Sequence, residues 1–269
     1  MHEVEMSTPK IVYKYRSWNN VDHINFLAFG EIYLASPAEI NDPFDCRIPN
    51  DLSLLCTDKK RGRFVDETLT RHYSDEELKG EKLITQRNIQ IRDLRDNSDQ
   101  YQGKLETLLI KSGNEHSGIF STSLIWDSIQ MWSYYSENHS GFCVGLDGER
   151  IFDSLPNQKS APINYSKKYP RIDPLGDKIR NSFMSTHTKD KNWKHEKEYR
   201  FFSNLNIPGK ENNSRIIKLT KDCFKEIIIG LQFPEKDIEK MKVYAKRLEV
   251  PIYTITKSKM RFKLDRKEI

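Results

Sequence analysis

The interval from residue 51 to about 115 constrains the fold of this 269-residue chain more than any other feature. It contains no proline, it is highly charged, and its apolar residues recur at helical spacing. The blocks on either side of it are rich in β-branched and aromatic residues, which favour strands. Strands before and after a helical block, with few strand–helix–strand repeats, predict an α+β fold with a helical insertion over about 51–115.

Local patterns predict the other elements. Alternating or apolar blocks predict strands in IVYKYRSW, EIYLASP, GIFSTSLIW, FCVGLD, KHEKEYRFF, IIKL, KEIIIG and VPIYTITKS, with MRFKLD as an edge strand. Helices are predicted in NNVDHINFLAFG, DSIQMWSYYSENHSG and PEKDIEKMKVYAKRLE. We expect Asp127 to cap the second of these and Gly141 to end it. The interval 155–190 is predicted to be irregular.

Several classes of protein do not fit the sequence. No run of 18 apolar residues is present and the N-terminus lacks a secretory pattern, so we expect a cytoplasmic protein without a membrane span. The dinucleotide-binding, P-loop and zincin motifs are all missing. The four cysteines lack metal-ligand spacing, which predicts reduced thiols and no metal site: Cys46, Cys56, Cys143 and Cys223.

Positive charge is concentrated in one stretch of the chain. The net charge is +5, and residues 159–194 contain nine Lys or Arg against three Asp. The tail after Thr256 is also basic. Two interpretations stay open for these segments: a solvated loop with a frayed terminus, or a surface that contacts phosphates of a nucleic acid.

Three short patterns have the chemistry to act on a nucleotide. Arg16 lies in the first predicted strand, S-T-S at 121–123 in a middle strand, and E-x-E at 196–198 in a later one. A carboxylate stabilises the cation that forms on ribose when the bond to nicotinamide breaks, and an arginine fork suits a pyrophosphate. Since residues two apart in a strand share a face, Glu196, Glu198 and Arg200 are expected to point the same way. Arg200 is then an ion-pair partner that keeps one carboxylate ionised.

Two other interpretations remain open. Glu196 and Glu198 with Asp42 or Asp45 could hold Mg²⁺ in a metal-dependent nuclease. The same E-x-E beside Arg and Lys is also typical of a salt-bridged face in a non-catalytic binding module.

The order Arg, S-T-S, E-x-E resembles the arginine–serine–glutamate class of mono-ADP-ribosyltransferases. The resemblance implies a split β-sandwich core with NAD as substrate in its cleft. It also implies that Arg16 contacts the NAD phosphates or ribose, and that Ser121, with Ser123, contributes to the ribose site. Glu198 would be the catalytic carboxylate and Glu196 the one that helps to choose the acceptor.

A second resemblance covers most of residues 11–230. The stretches YKYRS, N-D-P-F-D, M-W-x-x-Y with H-x-G, and E-x-E-Y-R are similar to a widespread bacterial domain family of unknown function. This resemblance implies a single domain over 1–269.

Further candidate residues come from these stretches. Asn41 and Asp42 either lock a turn, with Phe44 in the core, or line the cofactor pocket. Tyr134 and His139 are expected to face that pocket.

Together these patterns predict an NAD-dependent ADP-ribosyltransferase. The basic segment 159–194 suggests a nucleic-acid acceptor, RNA or DNA, although a protein acceptor stays open. In a bacterium such an enzyme would be a toxin or an anti-phage effector, with an antitoxin as a further partner; this last step rests on analogy.

Overall fold

The computed structural model describes residues 8–72, 80–205 and 215–269, and it confirms the α+β class. The strands are β1 (Ile11–Arg16), β2 (Glu31–Tyr33), β3 (Ser117–Ser123), β4 (Phe142–Asp147), β5 (Gln158–Pro162), β6 (Asn164–Ser166), β7 (Thr188–Asp190), β8 (Glu198–Asn204), β9 (Ile216–Lys218), β10 (Phe224–Ile229), β11 (Ile252–Lys257) and β12 (Leu264–Glu268). The α-helices are α1 (Val21–Phe29), α2 (Asp58–His72), α3 (Glu81–Asp96), α4 (Ser98–His116), α5 (Ile129–Tyr135), α6 (Gly148–Ser154), α7 (Lys178–Thr186) and α8 (Ile238–Leu248).

Eight strands form one mixed sheet in the order β12-β11-β10-β4-β1-β3-β8-β5. β10 and β11 pair in parallel and are connected through α8, whereas the other neighbours pair antiparallel. Central strand β4 is buried along nearly its whole length, which explains its continuous apolar sequence. Two smaller ladders join β2 to β9 and β6 to β7.

The junction between β1 and β3 is the thinnest in the large sheet. Tyr13 and Ser123 form its single registered pair, whereas β1 pairs with β4 over its whole length and β3 pairs with β8 over its whole length. Hydrogen bonds therefore join all eight strands into one sheet, and the prediction of a split β-sandwich with separate sheets is not confirmed. β1 and β3 nevertheless part beyond this one pair.

Apolar side chains cover both faces of the large sheet. The larger core includes Val12, Phe120 and Phe201 and is closed by residues of α1 and α8. The smaller core, on the opposite face, includes Tyr15 and Trp132 and is closed by α5. This two-sided burial follows from the alternation of side chains along each strand.

Helix α5 differs from its sequence prediction at both ends. The Ser128 hydroxyl, not Asp127, caps it by accepting from the Met131 backbone N–H at 3.3 Å. The helix stops at Tyr135, before Gly141, because the intervening residues 137–139 adopt left-handed backbone conformations. Gly141 is needed for a close approach instead: a Cβ there would lie 2.1 Å from the carbonyl oxygen of Arg16.

Contacts divide the chain into two compact units. The sheet unit comprises Met1–Ile40, His116–Lys167 and Lys189–Ile269, and the helical unit comprises Asn41–Glu115 and Lys168–Thr188. The interval predicted to be helical holds α2, α3 and nearly all of α4. The prediction of one domain over 1–269 stays a prediction. The interval 155–190 is not irregular as predicted, since it contains β5, β6, α7 and β7.

Within the part of the chain that the structure describes, no helix has the length and apolar character to cross a membrane.

Candidate functional site

The two glutamates of the E-x-E pattern meet at a single lysine. Glu196 ends a 3-10 helix (Lys191–Glu196) and Glu198 begins β8, so the predicted strand starts later than expected. Lys197 between them has φ 41°, which breaks the strand alternation. Both carboxylates still converge, because the Lys189 ammonium lies 2.7 Å from Glu196 Oε2 and 2.9 Å from Glu198 Oε2.

Glu198 is buried and ionised. Arg200, on the same strand, donates from Nε to Oε1 at 2.7 Å and from Nη2 to Oε2 at 3.0 Å, as expected for its ion-pair partner. Burial alone would raise the pKa of Glu198, but the charges of Arg200 and Lys189, the hydrogen bonds from Arg200 and a contribution from the Ser121 hydroxyl hold it well below its ordinary value. The carboxylate is therefore negative at neutral pH although the residue is only 3% exposed.

Glu196 is held in the same network. Its Oε1 accepts from the Tyr135 hydroxyl of α5 at 2.5 Å, and its Oε2 accepts from Lys189. Each of the four oxygens of the two carboxylates thus has a donor. The backbone N–H of Glu198 donates to the Tyr165 hydroxyl at 2.8 Å, which fastens the start of β8 to β6.

The two predicted serines lie on the same face as this network. In the ladder between β3 and β8, Ser121 is opposite Arg200 and Ser123 is opposite Glu198, and directly opposed residues share a face. The Ser121 hydroxyl lies on the face of the Glu198 carboxylate and contributes to the lowered pKa of that carboxylate. Ser123 instead donates to the backbone carbonyl of Glu196 at 2.7 Å, so its hydroxyl holds the turn in place.

Arg16 points away from the two glutamates. Tyr13 is opposite Ser123 and shares its face, so alternation places Arg16 on the other face, with its guanidinium 6.0 Å from the ring centre of Phe26. Burial lowers the pKa of Arg16 to about 10, and among the described residues its buried Nε has no hydrogen-bond partner. The structure does not bring Arg16 into an ion pair with Glu198.

Lys14 shares the face of Arg16 on β1, but its long side chain reaches into the opening between β1 and β3, and the sequence patterns missed it. Its Nζ donates to the backbone carbonyl of Ser121 at 2.5 Å, across the opening between β1 and β3, and lies 4.9 Å from the ring centre of Phe120. Burial and then the nearby charge of Arg16 lower its pKa well below the ordinary value, against the opposing influence of Glu198. The K-x-R pattern of β1 offered the same two-residue spacing that singled out E-x-E.

Lys189, Tyr135 and Tyr165 were also missed. Lys189 lies in the basic segment 159–194, for which both interpretations predict exposed charges, and no local pattern indicates that this lysine is buried. Tyr135 lies in a predicted helix and Tyr165 in the interval predicted to be irregular, and no local pattern indicates that either contacts the glutamates. Only the fold shows that these three side chains surround the glutamates.

The two aromatic candidates near α5 do not contact the carboxylates. Tyr134 is exposed and packs edge-on against His195, with ring centres 5.8 Å apart. His139 stacks on Trp132 at 6.3 Å, and burial lowers its pKa. Its Nε2 lies 3.3 Å from the Ser133 hydroxyl.

Asn41 and Asp42 belong to the helical unit. Asp42 Oδ1 accepts from the Phe44 backbone N–H at 2.9 Å, which is the geometry of a locked turn. Asp42 is buried, whereas Asn41 is exposed. The expectation that Phe44 enters the core is wrong, because its side chain is 62% exposed and packs edge-on against Tyr169.

The basic segment 159–194 is divided between the two units, with 168–188 in the helical unit. Its residue Lys189 is buried between the glutamates and therefore does not present its charge to a polyanion. In the helical unit, Arg171 pairs with Asp51 at 2.6 Å.

A metal ion between the glutamates would have to replace an ammonium. Lys189 already lies where a divalent cation would bridge the two carboxylates. Nowhere in residues 8–72, 80–205 and 215–269 do three His, Cys, Asp or Glu side chains come together as a metal site would need.

Comparison with known protein families gives a match to part of the chain. The model of a family described as "Protein of unknown function (DUF2971)" matches residues 131–201. The matched range contains most of α5, the Gly141 turn and both glutamates, whereas β1 and the N-D-P-F-D turn lie outside it. No curated protein and no solved structure is significantly similar to the chain.

Proposed function

We propose that the sheet unit is an NAD-dependent ADP-ribosyltransferase with Glu198 as its catalytic carboxylate. The observation that carries the proposal is the register of β3 and β8, which places the Ser121 hydroxyl on the same face as the ionised Glu198 carboxylate. These two residues come from separate sequence patterns, and β3 and β8 bring them together beside the place where β1 and β3 part.

The chemistry follows from the charge of Glu198. When nicotinamide leaves, positive charge develops on the ribose, and a fixed carboxylate stabilises that charge most effectively in a site that excludes water. The Ser121 hydroxyl can hold a ribose hydroxyl without adding charge. Glu196, positioned by Tyr135, can orient the incoming nucleophile of the acceptor.

An excess of basic groups around the glutamates suits an anionic substrate. Lys14, Lys189 and Arg200 outnumber the two carboxylates, and Lys14 interacts electrostatically with both glutamates. A dinucleotide with a pyrophosphate would reduce the mutual repulsion of these cations.

Access to Glu198 requires a local rearrangement. The carboxylate is covered by Lys189 and Arg200, so NAD must displace at least one of these donors to reach it. Lys189 is the partner we expect to move, because it lies in the three-residue strand β7 and can stay paired with Glu196.

Labelled NAD tests the proposal. Purified protein is incubated with it in the presence of cell protein, RNA or DNA, and transfer of label to a macromolecule identifies the acceptor class. We expect label transfer by the wild type and its loss in Glu198→Gln. Because that variant leaves cations unpaired, Ser121→Ala is the milder second variant and Ser154→Ala on α6 is its matched control. Label that appears only in free ADP-ribose would indicate NAD hydrolysis without transfer.

A non-catalytic role is the second candidate, and a specific observation favours it. Every oxygen of Glu196 and Glu198 already has a donor within the protein, as in a network that serves only to hold the fold. The two candidates differ in one measurement: a non-catalytic network turns over no NAD with any acceptor.

The biological setting is part of the proposal by analogy alone. A toxin or anti-phage effector that acts on nucleic acid or protein, with an antitoxin partner, is the role we propose for such an enzyme.

A further inference from the structure

The turn between β11 and β12 holds two apolar side chains away from the rest of the protein. Met260 is 101% exposed and Phe262 is 105% exposed. We name residues 257–263 the hairpin tip. Burying a side chain of this size is ordinarily worth roughly 1.5–3 kcal/mol, so full exposure of both is an unfavourable arrangement for the isolated chain.

The hairpin tip is an ordered turn. Tyr253–Lys257 pairs with Leu264–Glu268 in an antiparallel ladder. The Ser258 backbone N–H donates to the Lys263 carbonyl at 3.0 Å and closes the loop. Met260 has φ 62°, which is a left-handed conformation that sharpens the bend. The basic tail is therefore not frayed, and β12 begins four residues later than the predicted edge strand MRFKLD.

Cations alternate with the other residues of the hairpin tip: Lys257, Lys259, Arg261 and Lys263. Among the described residues, Lys257, Lys259 and Arg261 form no ion pair, and Lys263 pairs with Asp265 at 3.6 Å. No acidic residue lies within the tip itself. Its charge complements a polyanion.

The kinds of side chain in the hairpin tip decide between two polyanionic partners, an anionic lipid surface and a nucleic acid. Binding to a lipid surface grows with the apolar area that is buried, and the tip offers one ring and one thioether chain. An unpaired base needs only one flat group to stack on, and the exposed ring of Phe262 provides it. The cationic side chains on either side can then contact phosphates.

We propose that the hairpin tip binds single-stranded nucleic acid, with Phe262 stacked on a base and Lys259 and Arg261 on the phosphates. This surface is separate from the basic segment 159–194 and from the glutamate network. The proposal does not depend on NAD turnover, so the two can fail independently.

Fluorescence anisotropy with a labelled oligouridine tests this proposal on the full chain. Phe262→Ala should weaken binding at least about fivefold, the lower end of the loss when a stacking aromatic is removed. Lys259→Gln and Arg261→Gln should each reduce the slope of log affinity against log salt by about 0.7. Phe29→Ala, at an exposed phenylalanine of α1, and Lys236→Gln, at an exposed lysine, are the matched controls and should change neither quantity.

Folding does not complicate the result, because the substituted side chains of the tip pack against nothing and the variants should melt at the wild-type temperature. Binding that is equal in wild type, Phe262→Ala and the charge variants would overturn the proposal. So would a lack of binding to oligouridine, including the case in which the protein binds phosphatidylserine vesicles instead.

Discussion

Lys14 donates its ammonium to the backbone carbonyl of Ser121, 2.5 Å away, across the opening between β1 and β3. In a complete ladder a backbone N–H would donate to that carbonyl, but the two strands pair only at Tyr13 and Ser123. A buried carbonyl without a donor is costly, so the lysine side chain substitutes for the missing ladder bond. The same contact holds the strand that presents the Ser121 hydroxyl to Glu198.

Lys14→Met should destabilise the protein by about 1–3 kcal/mol, the cost of a buried polar group that loses its partner. The change keeps most of the length and apolar stem of the side chain and removes only the donor. Urea unfolding measures the difference, and Lys10→Met at an exposed position of the same segment is the control. Equal losses in both variants would mean that the Ser121 contact contributes nothing.

Glu198→Gln should cost about 3–5 kcal/mol of stability, because it removes the negative charge that Lys189 and Arg200 share. Urea unfolding measures the change in the free energy of unfolding, and Glu239→Gln, at an exposed position, is the control. A loss as small as that of the control would show that the buried network does not depend on this charge.

Stability should also depend on pH through Glu198. Its pKa in the folded protein is lowered, so its contribution is fully present above the ordinary glutamate pKa of about 4.3 and is lost as pH falls below that value. The unfolding free energy of the wild type should therefore fall more steeply between about pH 5 and pH 3 than that of Glu198→Gln. Parallel curves would contradict the assigned direction of the pKa shift.

The cysteines should differ in reactivity. Cys56 is exposed, whereas Cys143 is buried in the central strand β4 and burial raises the pKa of its thiol well above the ordinary value. A thiol reagent at neutral pH should label Cys56 within minutes, while Cys143 should react only after unfolding. Peptide mapping after brief labelling distinguishes the two, and early modification of Cys143 would contradict its placement.

Much of the fold was predictable from local patterns, because strand alternation and helical spacing act over a few residues. The apolar run of β4 and the helical spacing through α2 and α3 are of this kind. The thin β1–β3 junction was not predictable, since it depends on which strands pair and where they part. The start of α5 was not predictable from local capping either, because Asp127 and Ser128 are both good caps.

The residues of the candidate site were also predictable only in part. Short patterns identified Glu196, Glu198 and Ser121, and strand register brought them together. Arg16 was chosen for its residue type, but the alternation of β1 turns it to the other face. Lys189 could not be found, because a lysine in a basic stretch has no local sign of burial. Its place between the glutamates follows from long-range packing alone.

Release of nicotinamide from NAD is the measurement that tests the central claim most directly. We predict that the wild type releases nicotinamide and that Ser154→Ala releases it at the same rate. Ser121→Ala should slow the release at least about tenfold, because the loss of one positioned contact in the transition state raises the barrier by about 1.4 kcal/mol. The folded state of each variant is verified by its melting temperature. If the folded wild type releases no nicotinamide with protein, RNA or DNA present, Glu198 is not an ADP-ribosyltransferase carboxylate and the network is structural.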